Sequence, residues 1–399
     1  MRRQILAAAA IASVVSMAAC GSPQEAATGG GGSNASDTSP IKVGLVYSKS
    51  GALASYGAQY LAGFQAGIDH LTGGTGKLGE RPIEVTEVDD AGDPAKAVSA
   101  AKDLIGKGVK IIAGSTASGV ALQVAPLAEQ NKVLFVSGPA ATDALTGAGK
   151  YTFRSGRQTW QDILTAAGFI GDVKGKKVLV LAQDSAFGQA NVAAVKTVLG
   201  GQGATVEQLL VPPSATDITP FAVQARAAAP QLLFVAWAGT TAQAMWTALG
   251  QQGVFDAATV VTGLDIAATW PAYGPVAGKV NFLAHYFGGA AGTDLEKAMT
   301  EAVAKAGGGE VGLFTVDGFT AAQMILHAAE AGNEVDKMVA ALEGWSFEGV
   351  KGELTIRAED HALLQPMFQA KLTTGASPTA SVVKMLEPDE VAPPVAAGK

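Results

Sequence analysis

Residues 110–137 read KIIAGSTASGVALQVAPLAEQNKVLFVS, and this stretch decides the fold. Short apolar runs at 110–113 and 133–137 are typical of buried β-strands, and between them the apolar residues of 118–130 recur at helical spacing. Gly114 and Gly138 lie at joints where a strand ends. Because neighbouring parallel strands are joined by a crossover of this length, the stretch predicts a strand–helix–strand unit.

The same alternation extends in both directions along the chain. Towards the N-terminus it predicts strands at 41–47 and 83–88 and helices at 56–70 and 94–107. Beyond residue 150 it starts again. The predicted strands there are 177–182, 205–210, 232–236, 259–262 and 280–286, and the predicted helices are 186–199, 221–228 and 240–251. Two such blocks predict an α/β protein with two doubly wound, Rossmann-like lobes.

The C-terminal part continues with mixed elements. The predicted helices are 294–306, 315–331 and 334–343, and the predicted strands are 354–356 and 367–372. Residues 386–399 contain several prolines and end in small residues, so we predict a frayed tail there. Open parallel sheets bind ligands outside the carboxyl ends of their strands. Two lobes that face each other therefore predict a site in the cleft between them.

The first forty residues have the composition of an export signal followed by a tether. Two arginines precede an uncharged, mostly apolar stretch at 5–19, which is short for a membrane-spanning helix. Cys20 follows small residues, as in the lipobox of bacterial lipoproteins. We predict a signal peptide at 1–19 and a lipid-anchored flexible tether at 20–40. The alternative is an ordinary signal peptide with an incidental cysteine.

Composition limits the class of protein and of partner. A chain of 399 residues that is 48% apolar can bury one large core or two ordinary ones, so disorder is excluded. The 28 basic and 35 acidic residues give a net charge of −7, which argues against a nucleic acid as partner. With one cysteine, the chain can form no intramolecular disulfide. We expect a small molecule or a protein as the partner.

The sequence lacks the signatures of catalysis. None of the four histidines lies at metal-ligand spacing, and each, His285 included, is interpreted as a surface or core residue. The stretch GGTGK at 73–77 resembles a phosphate loop, but Leu78 stands where Ser or Thr should bind magnesium, so it is interpreted as a surface turn. No nucleophile elbow and no dinucleotide fingerprint occur. We therefore expect no enzyme activity, no cofactor and no metal.

Two neighbouring strand ends carry small hydroxyl groups and backbone donors. The first is GSTASG at 114–119, where Ser118 stands at the N-cap of a predicted helix, and the second is SGPAATD at 137–143. A helix N-terminus and a hydroxyl can bind a carboxylate. The alternative is that Ser118 only caps its own helix. Together the two junctions predict an anion pocket.

Several short motifs occur in the order and spacing of one family. They are SKSG at 48–51, YG at 56–57, DDAGDP at 89–94, SG at 118–119, PAAT at 139–142 and, in the second block, GLD at 263–265. In these motifs the sequence resembles the leucine/isoleucine/valine-binding protein family, the type I solute-binding proteins of ABC importers. The resemblance covers residues 41–384.

The resemblance implies a division into lobes. In that family the chain crosses three times between the lobes, which form the type I periplasmic binding protein fold with a three-segment hinge. It implies a first lobe at 41–159 with 288–363 and a second lobe at 160–287 with 364–385. The tail at 386–399 belongs to neither lobe.

The resemblance also implies roles for individual residues. The ligand carboxylate would bind at Ala117, Ser118, Ala140 and Thr142, and Asp265 would receive the ammonium group. Tyr56 would lie at the same mouth of the site. Three aromatic residues, Phe187, Trp237 and Phe314, lie near positions that shape the side-chain pocket, or else pack in the core. Phe187 stands where close relatives often carry Tyr, so one hydroxyl contact to the ligand is lost.

The function implied is an extracytoplasmic, lipid-anchored solute-binding lipoprotein of an ABC importer. It would act as a monomer, bind a branched-chain or related amino acid between its lobes and deliver it to the permease subunits. The alternatives keep the fold but change the ligand to an aromatic acid, a small amide or urea, or make the protein a ligand sensor. An exported α/β enzyme is a further alternative, disfavoured by the missing catalytic motifs.

Overall fold

The computed structural model describes residues 38–309, 311–375 and 377–396, with Pro275 described by its backbone alone. Within these ranges the chain forms two large sheets flanked by helices and a small third sheet. The signal peptide, Cys20 and nearly all of the tether lie outside the described residues and stay predictions.

The first block of the chain alternates strands with helices. Its elements are β1 (Ile41–Tyr47), α1 (Ala54–Leu71), β2 (Lys77–Leu78), β3 (Arg81–Asp89), α2 (Pro94–Gly106), β4 (Ile111–Gly114), α3 (Ser118–Asn131), β5 (Leu134–Ser137) and β6 (Thr152–Arg154). The strand order is β2-β3-β1-β4-β5-β6, and every pair except β2 with β3 is parallel. Strands β4 and β5 are buried along their whole length, which explains their continuous apolar sequences.

The second block repeats this architecture. Its elements are α4 (Thr159–Ile170), β7 (Lys177–Gln183), α5 (Ala186–Val195), β8 (Thr205–Val211), α6 (Thr219–Ala227), β9 (Leu232–Ala236), α7 (Ala242–Gln251), β10 (Thr259–Gly263) and β11 (Val280–Ala284). These five strands are parallel and lie in the order β11-β10-β9-β7-β8. The structure confirms two lobes built on parallel sheets.

The C-terminal part serves both lobes. Its elements are α8 (Asp294–Lys305), α9 (Thr315–Glu330), α10 (Val335–Leu342), β12 (Ser346–Gly349), β13 (Gly352–Ile356), β14 (Leu363–Leu364), β15 (Met367–Leu372) and β16 (Ala380–Leu386). Helices α8 and α9 pack against α1, and β12, β13 and β14 form a small antiparallel sheet. Strand β15 then joins β11 in the second large sheet, and β16 adds an antiparallel edge.

Buried polar side chains tie together the three chain segments that connect the two large sheets. Lys351 donates from Nζ to the carbonyl oxygen of His285 at 3.0 Å and also to Gln365 Oε1. Gln365 Nε2 donates in turn to Gln161 Oε1 at 3.2 Å, and Gln161 Nε2 donates to the carbonyl oxygen of Leu363 at 3.1 Å. All three side chains of this cluster, those of Lys351, Gln365 and Gln161, are buried. The connections therefore meet in one polar cluster, while the residue boundaries of the lobes stay a prediction.

Helices α1 and α9 approach each other through glycine. A Cβ added to Gly318 would lie 2.0 Å from the carbonyl oxygen of Tyr60 and 2.6 Å from the nitrogen of Phe64, both backbone atoms of α1. We expect Gly318→Ala to lower the free energy of unfolding by about 1–3 kcal/mol, because the helices must move apart. Urea denaturation measures this change.

The matched control is Gly106→Ala at the end of α2, where an added Cβ meets no atom within 4 Å. Because alanine is the better helix former, the control should be neutral or slightly more stable than the parent. Equal stability of the parent and Gly318→Ala would contradict the close packing of α1 on α9.

Two sequence predictions are wrong. Residues 387–396 are not frayed: Val391 is fully buried, and Arg357 Nη1 donates to the carbonyl oxygen of Pro393 at 2.7 Å. The strand predicted at 280–286 ends at Ala284, since the chain there leaves the sheet. The helix predicted at 186–199 is confirmed, and its last turn, Lys196–Gly200, is π-helical. The sequence also failed to predict α4, β2, β6, β12, β14 and β16.

Candidate functional site

A cavity of about 390 Å³ opens at the carboxyl ends of the parallel strands of both large sheets. Its walls come from the loops after β4 and β5 on one side and from those after β7, β9, β10 and β11 on the other. This is the edge at which open α/β sheets bind ligands. Seven of the nine residues that the sequence assigned to the ligand line it: Tyr56, Ala117, Ser118, Phe187, Trp237, Asp265 and Phe314.

The N-terminus of α3 forms one edge of the cavity. The prediction that Ser118 is the N-cap is wrong, because the helix begins at Ser118 and the extended residue before it, Ala117, holds the N-cap position. The Ser118 hydroxyl does not cap this helix and instead accepts a hydrogen bond from the backbone N–H of Thr142 at 3.3 Å. Ala117, Ser118 and Gly119 all line the cavity. The helix N-terminus therefore favours a negative group at this edge.

Ala140 and Thr142 do not line the cavity, whereas their neighbours Pro139 and Ala141 do. Both are almost fully buried. The N–H of Ala140 donates to the carbonyl oxygen of Ser115 at 3.2 Å, and the N–H of Thr142 is bound to Ser118. Two of the backbone donors that were expected to meet a ligand are thus used inside the protein.

Arg154 binds the loop after β5 through hydrogen bonds from its guanidinium group. The residue is 2% exposed and makes five hydrogen bonds from its guanidinium group. Burial lowers the pKa of Arg154 to about 10, so it stays charged at neutral pH. Its acceptors are the carbonyl oxygens of Ala140, Thr142, Gly156 and Arg157 and Oγ1 of Thr146. The loop after β5 is therefore fixed in place.

Asp265 lies on the wall contributed by the second sheet. Its Oδ1 accepts a hydrogen bond from Tyr56 OH at 2.7 Å and another from the N–H of Ile266 at 2.8 Å. The N–H of Gly239 donates to the same Tyr56 hydroxyl at 3.1 Å. Burial raises the pKa of the Asp265 carboxyl, and the hydrogen bond from Tyr56 counteracts part of that rise. Tyr56, which belongs to α1, thus joins the first lobe to two loops of the second.

Aromatic rings cover much of the remaining wall. The ring centroids of Tyr56 and Phe314 are 4.7 Å apart, and Trp237 Nε1 donates to Thr241 Oγ1 at 3.0 Å. Phe187, on α5, also lines the cavity. Phe314 is 4% exposed and also belongs to the core of the first lobe. Phe314 therefore both lines the cavity and packs in the core of the first lobe.

Three charged or titratable residues of the cavity wall were missed by sequence reasoning. They are Arg157, Asp162 and His285. Arg157 Nε lies 3.4 Å from Asp162 Oδ2, and the guanidinium carbon lies 5.8 Å from the centroid of the Phe314 ring. Burial raises the pKa of Asp162 to about 6 and holds the pKa of His285 well below its usual range, so the imidazole is neutral at pH 7. No short motif marks these residues: Arg157 and His285 lie in segments that connect the lobes, and Asp162 lies in the first turn of α4.

The described part of the chain, 38–309, 311–375 and 377–396, contains no group of three or more His, Cys, Asp or Glu side chains placed to hold a metal ion. In the same ranges, no helix combines the length and apolar character needed to cross a membrane.

Comparison with known proteins places the chain in a family. The sequence model described as periplasmic binding protein matches residues 40–377. A Leu/Ile/Val-binding protein of Rhizobium johnstonii is 32% identical over 167 residues, which are 41% of this chain and 45% of that protein. A Leu/Ile/Val-binding protein homologue of Brucella melitensis is 29% identical over 49% of this chain and 53% of its own length. The chain spans about half the length of the curated relatives it matches.

Solved structures agree with this assignment. An ABC-type branched-chain amino acid transporter protein of Rhodopseudomonas palustris shares 29% identity with a TM-score of 0.74, over 90% of this chain and 100% of that one. A solute-binding protein from the same species, in complex with 4-hydroxybenzoate, has a TM-score of 0.80 at 23% identity over 87% of this chain and 97% of that one, and shows the fold alone. With two parallel-sheet lobes, a cavity at their strand ends and a matching family model over most of its length, this chain belongs to the periplasmic binding protein family.

Proposed function

We propose that this chain is the solute-binding component of an ABC importer, which takes a branched-chain or related amino acid into the cavity and delivers it to permease subunits. The observation that carries this proposal is the pairing of two opposite groups in one cavity. The N-terminus of α3 at Ser118 suits a carboxylate, and the Asp265 carboxyl suits an ammonium group. A zwitterion that leaves water needs a partner for each charge.

A thermal-shift screen with the twenty amino acids, branched-chain ones first, tests the proposal. A ligand at a hundred times its dissociation constant stabilises the folded state by about 2.7 kcal/mol, which raises the melting temperature by a few degrees. We expect one or more aliphatic amino acids to do so. If no amino acid and no other small solute stabilises the protein, the proposed transport function is wrong.

A second ligand class, the aromatic acids, has support of its own. Phe187, Trp237 and Phe314 supply aromatic surface to the cavity, and the fold neighbour described above was solved with 4-hydroxybenzoate. The same screen therefore includes benzoate and 4-hydroxybenzoate.

We further propose that export and a lipid on Cys20 place the protein outside the cytoplasm. A sensor role would leave ligand binding intact but require a receptor instead of a permease.

We infer that the lobes, proposed as 41–159 with 288–363 and 160–287 with 364–385, rotate about their three connections and close on the ligand. Small-angle scattering should give a smaller radius of gyration at saturating ligand than without it. Tyr56→Phe removes the hydroxyl bonded to Asp265 and Gly239, so this variant should need more ligand for the same contraction. An unchanged radius with a verified ligand would indicate a rigid pocket.

A further inference from the structure

The proposed function does not yet use the guanidinium group of Arg157, which lies on the cavity wall. It lies between β6 and α4, in one of the segments that connect the lobes, and is 9% exposed. Among the described residues, its guanidinium takes part in one hydrogen bond, from Nη1 to the carbonyl oxygen of Pro139 at 3.0 Å. Its Nε is buried and has no hydrogen-bond partner. Arg154, three residues earlier at the end of β6, makes five hydrogen bonds with its guanidinium group and has no N–H donor left for a ligand.

The neighbouring Asp162 carboxylate accepts no hydrogen bond from Arg157. Asp162 Oδ2 lies 3.4 Å from Nε, an ion pair without a hydrogen bond. The imidazole of His285 also lines the cavity, and burial keeps its pKa low, so it is neutral at pH 7. Of the described residues that line the cavity, Arg157 is the one that carries a guanidinium or ammonium group. A buried guanidinium with unused N–H groups is costly unless an acceptor reaches it.

The loop that Arg157 contacts is the one next to the predicted carboxylate site. Pro139, which accepts from Arg157, lines the cavity, and three residues later Thr142 is bonded to Ser118. The N–H groups of Ala140 and Thr142 are occupied within the protein, so this edge offers a carboxylate fewer neutral donors than the sequence predicted. The partial charge of the α3 N-terminus remains. The guanidinium group of Arg157 lies beside the same loop and can attract a carboxylate where these backbone donors cannot.

We propose that Arg157 is a specificity-determining residue that pairs with the carboxylate of the bound solute and restricts the cavity to carboxylic acids, excluding amides and urea. The inference rests on the proposed solute-binding function and narrows its ligand class. It applies equally to amino acids and to aromatic acids, since both carry the carboxylate. Asp265 then distinguishes between those two, because only the amino acid brings an ammonium group.

Calorimetric titration with matched acids and amides tests the inference. The probes are L-leucine with L-leucinamide and 4-hydroxybenzoate with 4-hydroxybenzamide. We expect the wild-type protein to prefer at least one acid over its amide by about 30-fold or more, the range measured when one member of a buried charge pair is lost. Arg157→Gln should reduce that preference to less than about 3-fold, because it lowers the affinity for the acid and leaves the affinity for the amide unchanged.

Two further variants guard against an indirect effect. Arg157→Lys keeps the charge and should recover part of the acid preference, and Arg226→Gln changes an exposed arginine on α6 and should leave it at the wild-type ratio. Circular dichroism and melting temperature establish that each variant is folded. If Arg157→Gln does not fold, the role of Arg157 is tested by the ratio of acid to amide affinity in the wild-type protein and in Arg157→Lys.

Different outcomes contradict the role of Arg157, the ligand class and the proposed solute-binding function. A folded Arg157→Gln variant with the wild-type acid preference overturns the role of Arg157. A wild-type protein that binds amides or urea as tightly as acids overturns the ligand class while solute binding stands. A wild-type protein that no solute stabilises contradicts the proposed function itself.

Discussion

Asp265→Asn is expected to weaken the binding of an L-amino acid by at least about 30-fold, because a buried ammonium group would lose its charged partner. The change is nearly isosteric. An asparagine at this position keeps an oxygen that can accept from Tyr56 OH and from the N–H of Ile266, as Oδ1 of Asp265 does. These two hydrogen bonds can therefore be retained while the negative charge is removed. Calorimetry with the amino acid that the thermal-shift screen identifies measures the loss.

Two controls separate charge from geometry in this experiment. Tyr56→Phe removes the hydroxyl and keeps the Asp265 carboxylate, so its loss of affinity should be smaller than that of Asp265→Asn. Ser118→Ala should also weaken binding less than Asp265→Asn does, since the N-terminus of α3 and its free backbone donors remain. If Asp265→Asn binds as tightly as the parent, the ligand carries no ammonium group at this place. The aromatic-acid alternative would then be preferred.

The parallel core of the fold was predictable because its signal is local. Strands buried on both faces, such as β4 and β5, require continuous apolar runs, and helices α1 and α2 begin and end near glycines. Helix α4 lacks such a signal. Its N-cap is Gln158, which forms a capping box with Gln161, and glutamine is not among the residues that usually mark a helix start. Strand β16 is an exposed edge, so its sequence has no apolar alternation.

The cavity was predictable only in part, for a related reason. Ser118 and Asp265 follow strands at the expected edge, so order and spacing along the chain identified them. Arg157 and His285 reach the same cavity from segments that connect the lobes, and their placement depends on long-range packing that no short motif encodes. In the loop at 139–142, by contrast, two residues predicted to bind the ligand do not line the cavity. Its motif was found, but the hydrogen bonds to Arg154 and Ser118 turn Ala140 and Thr142 away from the cavity surface.

Cys20→Ser is expected to remove the protein from the membrane fraction of the cells that express it. The prediction rests on the export signal at 1–19 and on the small residues that precede Cys20. A lipid contributes about 0.8 kcal/mol per buried CH₂ group, so an anchor with two or more acyl chains holds a protein on a membrane stably, whereas one chain does so only marginally. The parent protein should sediment with membranes, and the variant should remain soluble.

Metabolic labelling with radioactive palmitate gives an independent measurement of the same prediction. The parent should incorporate label and Cys20→Ser should not, whereas Ser22→Ala, which changes a neighbouring residue of the proposed tether, should behave as the parent does. A parent protein without label would favour the ordinary signal peptide. A Cys20→Ser variant that stays with the membranes would mean that something other than a lipid on this thiol holds it there. Neither result should alter the affinity for the ligand, because Cys20 lies outside the residues proposed to form the lobes.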